Sequence, residues 1–241
     1  MFGHDFYHGS VRRYVIMFGN LFNEMQIGRF DENGTRIDTL NVPISYGPKQ
    51  RFIERVLADP TLNRSISTTL PRISFSMASM NYAPLRKLNS TLKFKNNLVL
   101  PSASGQTTYA PVPYDFNFTL SILVKNAEDG TQLIEKILPF FTPDYTVTMR
   151  VLPQLSVTMD VPIELIAITS DDTYEGDFDT SRRVLTWDLQ FIVKGYLWGP
   201  VTTSKYITEA EIKLFSGLDT EDEDWIAKTT ANTAGTFLTE K

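Results

Sequence analysis

Apolar residues along this chain recur at two spacings, and the switches between them mark out its elements. In "SVRRYVIMFGNLFNEM", residues 10–25, Val11, Tyr14, Val15, Phe18, Phe22 and Met25 fall three or four positions apart. That is the repeat of one face of a helix. Ser10 is placed as its N-cap, its hydroxyl accepting from a free backbone N–H. Arg12 and Arg13 fall on the polar side. Gly19 weakens such a helix by about 1 kcal/mol relative to Ala, which points to a close packing contact there. "NG" at Asn33-Gly34 lies between two extended runs, the signature of a tight hairpin turn. Pro48 opens a short helix, "PKQRFIERVLA", with Phe52, Ile53, Val56 and Leu57 on one face and Pro60 at its end.

Beyond residue 70 the spacing falls to two. Ile73, Phe75 and Met77 alternate with small polar residues ahead of "NYAPLRKLN", and a second strand follows it. "PSASGQTTYAPVP", residues 101–113, reads as a long loop, either mobile or held by a partner. The clearest strand is 114–124, where Tyr114, Phe116, Phe118, Leu120, Ile122 and Val124 share a face. A helix follows, with Leu133, Ile134, Ile137 and Leu138 as its stripe. Asn126 is placed to cap it, and Glu128 and Asp129 suit its positive end. Strands are expected around "YTVTMRV", "SVTMDVPIELIAIT" and "RRVLTWDLQFIVKGYLW", where Leu185, Trp187, Leu189, Phe191 and Val193 share a face. The pattern predicts an α+β fold: one mostly antiparallel sheet with a few helices packed on one face. Residues 1–201 are read as a single domain. Residues 202–241 are read as an acidic tail, with one short extended stretch near Tyr206 and "AKTTANTAGTFLTEK" disordered by composition.

Composition narrows what such a chain does. It has 241 residues, a net charge of −5 and no cysteine. There is thus no disulfide, thiolate nucleophile or cysteine-based zinc site. Without the run "DTEDED", Asp219–Asp224, the rest is close to neutral. The basic stripe of a nucleic-acid-gripping domain is missing. No apolar run approaches the roughly 20 residues of a membrane span. The first residues lack an apolar signal-peptide core, so no signal peptide is expected. Both histidines, His4 and His8, stand at helical spacing near the start. Zinc needs three or four ligands, so the pair reads as surface imidazoles rather than a metal site, with an interface role between the two. A serine or threonine nucleophile needs a base, and with histidine only near the N-terminus a Ser-His-Asp triad is not expected; no phosphate-binding or nucleophile-elbow motif occurs. Asp171, Glu175, Asp177 and Asp179 follow calcium-loop spacing around Gly176, but Arg182 stands where the last carboxylate belongs and the flanks read as strands. That loop reads as solvated, able to meet a basic patch on a partner.

Three stretches carry a resemblance. "SVRRYVIMFGNLFNEMQIGR", "NYAPLRKLN" with "LVKNAEDGTQLIEKILPFFTPDYTVTM", and "SRRVLTWDLQFIVKGYLWGPV" resemble, in order and spacing, the tail sheath stabiliser and completion proteins of large contractile-tailed bacteriophages, which are tail terminators. The resemblance covers most of residues 1–201 and departs in the acidic tail. It implies a structural protein, not an enzyme, with no cofactor. Such a protein forms a hexameric ring that caps the finished tail tube and sheath at the head-proximal end of the virion. It stabilises the sheath, docks the neck and head-completion proteins, lets DNA pass without specific binding, touches no membrane and assembles in the host cytoplasm. A ring of head-to-tail contacts needs protruding loops and unpaired edges. The candidate subunit or partner contacts are therefore Arg12, Arg13, Arg182 and Arg183, the turn Asn33-Gly34, and Tyr109 in the 101–113 loop. Arg is enriched at interface cores and forks to carboxylates; the same arginines also suit pairs within the subunit. Other readings are another tube or connector subunit of the tail or neck, a carboxylate-dependent glycosidase with two facing acids, and a carbohydrate-binding module with exposed aromatics along a groove.

Overall fold

Every second residue of the 114–124 run is apolar, and in the computed structural model that run is the central strand of the molecule. The structure describes all residues except 1–4, 32–34, 58–69, 97–103, 153–154, 156, 174–183, 206–208, 216–224, 233–236 and 241. In chain order the elements are α1 (Ser10–Leu21), β1 (Gln26–Phe30), β2 (Arg36–Asn41), β3 (Ile44–Tyr46), α2 (Lys49–Leu57), β4 (Arg72–Tyr82), β5 (Lys93–Asn96), β6 (Ser104–Tyr109), β7 (Val112–Val124), α3 (Ala127–Ile137), β8 (Asp144–Leu152), β9 (Val157–Thr173), β10 (Val184–Leu197), β11 (Thr202–Lys205), β12 (Glu209–Phe215), β13 (Trp225–Asn232) and β14 (Phe237–Glu240). The fold class is α+β.

The chain divides into two compact units. The first holds residues 1–89 and 111–198; the second holds 90–110 and 199–241. The first is built on a six-stranded sheet of order β3-β4-β7-β10-β9-β8, antiparallel except for the short β3–β4 pair, with β1 and β2 as a separate antiparallel pair. In the second unit β11-β6-β5 and β12-β13-β14 are two antiparallel three-stranded sheets. Residues 104–109 of the expected loop are thus strand β6. Its β-branched and aromatic residues, Thr107, Thr108 and Tyr109, prevail over the flanking Pro and Ser. Strand β13 from Ala227 onward and all of β14 fall within the stretch read as disordered by composition.

On one face of the six-stranded sheet, α1 and α3 cover the alternating apolar residues. Tyr14 and Phe18 of α1, with Phe22 just past its end, are buried against Phe75, Phe116, Phe118 and Phe191. The Phe18 ring stacks on Phe118 at 4.5 Å between centroids and meets Phe191 edge-on at 5.4 Å, both favoured aromatic geometries. Gly19 is the close contact that its position implied: a Cβ there would lie 2.7 Å from the Phe75 ring. Gly195 of β10 has the same reason on the sheet side, where a Cβ would lie 2.6 Å from the Phe116 ring and 2.7 Å from that of Tyr14. The second face carries α2 instead, whose Phe52 packs on Leu123 and Val184. The helices therefore do not all lie on one face. Leu123 and Val184 give that end of the sheet an apolar patch on its other side, and α2 covers it.

Helix ends differ in detail from the sequence expectation. The N-cap of α1 is Gly9, not Ser10. Gly9 takes a left-handed conformation with φ 64° and accepts the Arg13 N–H at 3.0 Å, a turn that a side chain would strain. Asn126 holds the N-cap position of α3 without a side-chain bond. Asp129, in the first turn, is buried and gripped by both guanidinium nitrogens of Arg29 on β1, one of them at 3.0 Å.

Candidate functional site

Hydrogen-bonded buried polar groups such as those of Tyr14 and Ser121 serve the framework; the buried Ser74 hydroxyl has no partner among the described residues. Strand β10 outlasts its pairing with β9, whose register ends at Val193 opposite Ile163. At Tyr196 the Tyr14 hydroxyl takes over. It accepts the Tyr196 N–H at 2.8 Å and donates to the Tyr196 carbonyl at 3.0 Å. One phenol thereby satisfies two backbone groups that a neighbouring strand would otherwise pair. Burial pushes the Tyr14 pKa above its ordinary value; the Tyr196 hydrogen bond and the Arg86 charge oppose this in part.

On the face that bears α2, directly opposed residues form a polar row across five strands: Ser45, Ser74, Ser121, Asp188 and Thr169. Ser121 donates to Asp188 at 2.6 Å, and the Lys49 ammonium sits 2.5 Å from the other carboxylate oxygen. Further ion pairs join Arg86 to Asp115 and Lys194 to Glu164. A Ser-Asp-Lys arrangement looks catalytic on paper. Here Ser121 is buried and lines neither of the hollows beside α1, so its hydroxyl, although it donates to a carboxylate, is not presented to a substrate as a nucleophile would be. Two hollows flank α1. The smaller, about 200 Å³, is lined by Phe22, Met25, Phe141 and Tyr145 among others; the larger, about 480 Å³, lies over Ile16 and Met149. Neither is lined by a carboxylate or imidazole. Among the described residues no three His, Asp or Glu side chains converge as a metal site, and no helix is long and apolar enough to cross a membrane.

The residues singled out in the sequence are dispersed. Arg12 is exposed on α1. Arg13, beside it, donates to the Val151 carbonyl at 2.7 Å and so ties α1 to β8 within the subunit. Tyr109 ends β6 in the second unit, exposed, with the Lys93 ammonium 4.9 Å from its ring centroid. Asn33, Gly34, Arg182 and Arg183 lie outside the described residues, as do His4 and most of the acidic loop. His8 is half-buried, its ring 5.4 Å from Phe6.

What sequence reasoning passed over is the region of "NYAPLRKLN". β4 ends at Tyr82, and Pro84–Arg86 form one 3₁₀ turn. Arg86 holds that turn in place: it binds Asp115, donates to the Tyr114 carbonyl at 3.1 Å and covers the Tyr196 ring at 5.1 Å. The turn so fixed presents Leu85 with 100% exposure, while Met80 and Tyr82 before it are 47% and 45% exposed. Three exposed apolar side chains within six residues make this segment a candidate interaction surface. The signal was present in the sequence, a Pro-Leu-Arg turn among apolar residues, but its periodicity does not say which side faces out.

A fixed framework, polar groups committed to structure and apolar side chains presented on a braced turn define a structural assembly subunit. The comparisons specify which kind. The chain belongs to the T4-like virus Myoviridae tail sheath stabiliser family, whose model matches residues 5–236. It is 32% identical over 208 residues to the tail completion protein gp15 of Enterobacteria phage T4, covering 83% of this chain and 74% of that one. It is accordingly a viral tail structural protein and not an enzyme.

Proposed function

We propose that copies of this chain form a hexameric ring on the completed tail tube and contractile sheath, at the end that meets the head. The ring locks the last sheath layer and offers its other side to the neck and head-completion proteins. It is assembled in the host cytoplasm and stays in the virion. The observation that carries this reading is the family match, which runs nearly end to end through residues 5–236 and includes the acidic segment near the C-terminus. DNA passes through such a ring without being gripped. The net charge of −5 supports this, and Lys49, Arg86 and Lys194 are each matched to a carboxylate of the same chain. Arg12 and Tyr109, both exposed, remain candidates for contacts with neighbours.

The test is electron microscopy of the purified chain mixed with tail tubes and sheaths. Rings at one tube end only, with sheaths that then resist disassembly, are the expected result. Binding along the whole tube, or sheaths equally stable without the protein, would refute it.

A further inference from the structure

Among the described residues, and besides the outer strands β3 and β8 of the six-stranded sheet, the first unit carries two unlike unpaired edges. β3 pairs with β4 only from Ile73 to Phe75, and the Gly47 N–H adds a bond to the Phe75 carbonyl at 2.8 Å. From Ser76 to Tyr82, among the described residues, β4 has β7 on one side and no strand on the other. The stretch "SMASMNY" contains no charge and no proline, two of the devices that keep an edge from pairing. A bulge lies between Met77 and Ser79, but pairing with β7 resumes through Tyr82. The second edge is β2. Its partner β1 is closed off by α3: the Gly28 N–H donates to Gln132 at 3.2 Å, and Lys136 donates to the Gln26 carbonyl. β2 itself has all six residues exposed, Ile37 and Leu40 among them, and among the described residues is paired on one side alone.

We infer that β2 of one subunit adds to the β4 edge of the next, extending its six-stranded sheet. This rests on the ring reading above and names the contact that builds the ring. A closed ring requires two different surfaces of one chain to meet. The six residues of β2 match the seven open positions of β4 in length. Arg36 and Asp38 meet no like charge there, because the β4 edge is neutral. Main-chain hydrogen bonds supply the attraction, and apolar side chains such as Met80 and Ile37 are covered on closure.

The native chain has no cysteine, so introduced thiols report alone. Met80→Cys is combined with Ile37→Cys, or with Asp38→Cys for the opposite face of β2, and oxidised in assembled rings. One double variant is expected to give a ladder of covalent multimers, while each single variant stays uncrosslinked. A single Met80→Cys that dimerises would show a symmetric contact and overturn the inference. So would rings that form normally while neither double variant crosslinks, or Met80→Cys crosslinking to a tube or sheath protein instead. A second variant, Ala78→Lys with Asn81→Lys, charges the edge; it should abolish rings while leaving the circular dichroism and thermal midpoint of the subunit unchanged, and normal rings would count against the contact. A native chain that stays monomeric even on tails would overturn the ring reading and this contact with it.

Discussion

Tyr14→Phe isolates the bond that closes the open side of β10. The substitution keeps the ring, which is fully buried against Phe116 at 4.8 Å, so almost no apolar transfer energy changes. It removes the oxygen that serves both the N–H and the carbonyl of Tyr196. An orphaned buried donor or acceptor costs about 1–3 kcal/mol. Tyr196 is half-buried, so water reaches part of that edge and the lower end applies to each group. The expected loss is about 2–3 kcal/mol for the two groups together. For a unit of this size that lowers the thermal midpoint by roughly 5–10 °C. Denaturant unfolding followed by far-ultraviolet circular dichroism and tryptophan emission, at one protein concentration, measures it. The same variant has a pH signature. Folding raises the Tyr14 pKa, with burial as the main cause. The folded state therefore keeps its proton after the unfolded chain, with a tyrosine pKa of about 10, begins to lose it. This contribution is complete below that pH and fades as pH rises through the folded value. Native protein should lose stability on alkaline titration more steeply than Tyr14→Phe, and the gap between them should narrow. A variant within about 0.5 kcal/mol of the native chain at neutral pH, the scatter of surface substitutions, with a parallel alkaline limb, would refute the reasoning.

Two further substitutions probe the same framework. Gly19→Ala sets a helix-propensity gain of about 1 kcal/mol against a methyl 2.7 Å from Phe75, an overpacking that costs typically about 1–3 kcal/mol. Phe75 packs against Phe18 and Tyr46, which resist its displacement, so the expected net change is a lower urea midpoint; a higher one would show that the ring moves aside. At the hairpin anchor, the Asp129 side chain is 4% exposed and that of Arg29 42%. Arg29→Ala strands a buried carboxylate and should cost about 2 kcal/mol after discounting for the exposed partner. Asp129→Ala leaves an arginine that water can solvate and should cost less. Equal losses in thermal melts would contradict that asymmetry.

Local rules reach as far as a residue's own element and stop where two elements meet. The alternation of Phe116, Phe118, Leu120 and Ile122 and the helical steps of Tyr14, Phe18 and Phe22 are fixed by strand and helix geometry, so both stripes were legible and both form the core. Even Gly19 could be read as a contact, because its helical cost demands a return. The role of a polar residue was not legible in this way. Arg12 and Arg13 are adjacent and alike in sequence, yet one is exposed and the other is bound to Val151, 138 positions away. Asp129 fits a helix-dipole role equally well before and after one learns that Arg29 grips it. Arg86 passed unremarked, though it braces the turn that exposes Leu85, because its partners Asp115 and Tyr196 come from strands that only the sheet order brings together. The same holds for edges. A strand's sequence tells which side chains share a face, but whether its backbone is paired on one side or both depends on how long its neighbour runs, as β3 stops at the partner of Phe75 and leaves Ser76–Tyr82 open. In the ring proposed above, that length mismatch is where function enters the fold: the core stripe makes the subunit, and the unpaired remainder of β4 is the inferred link.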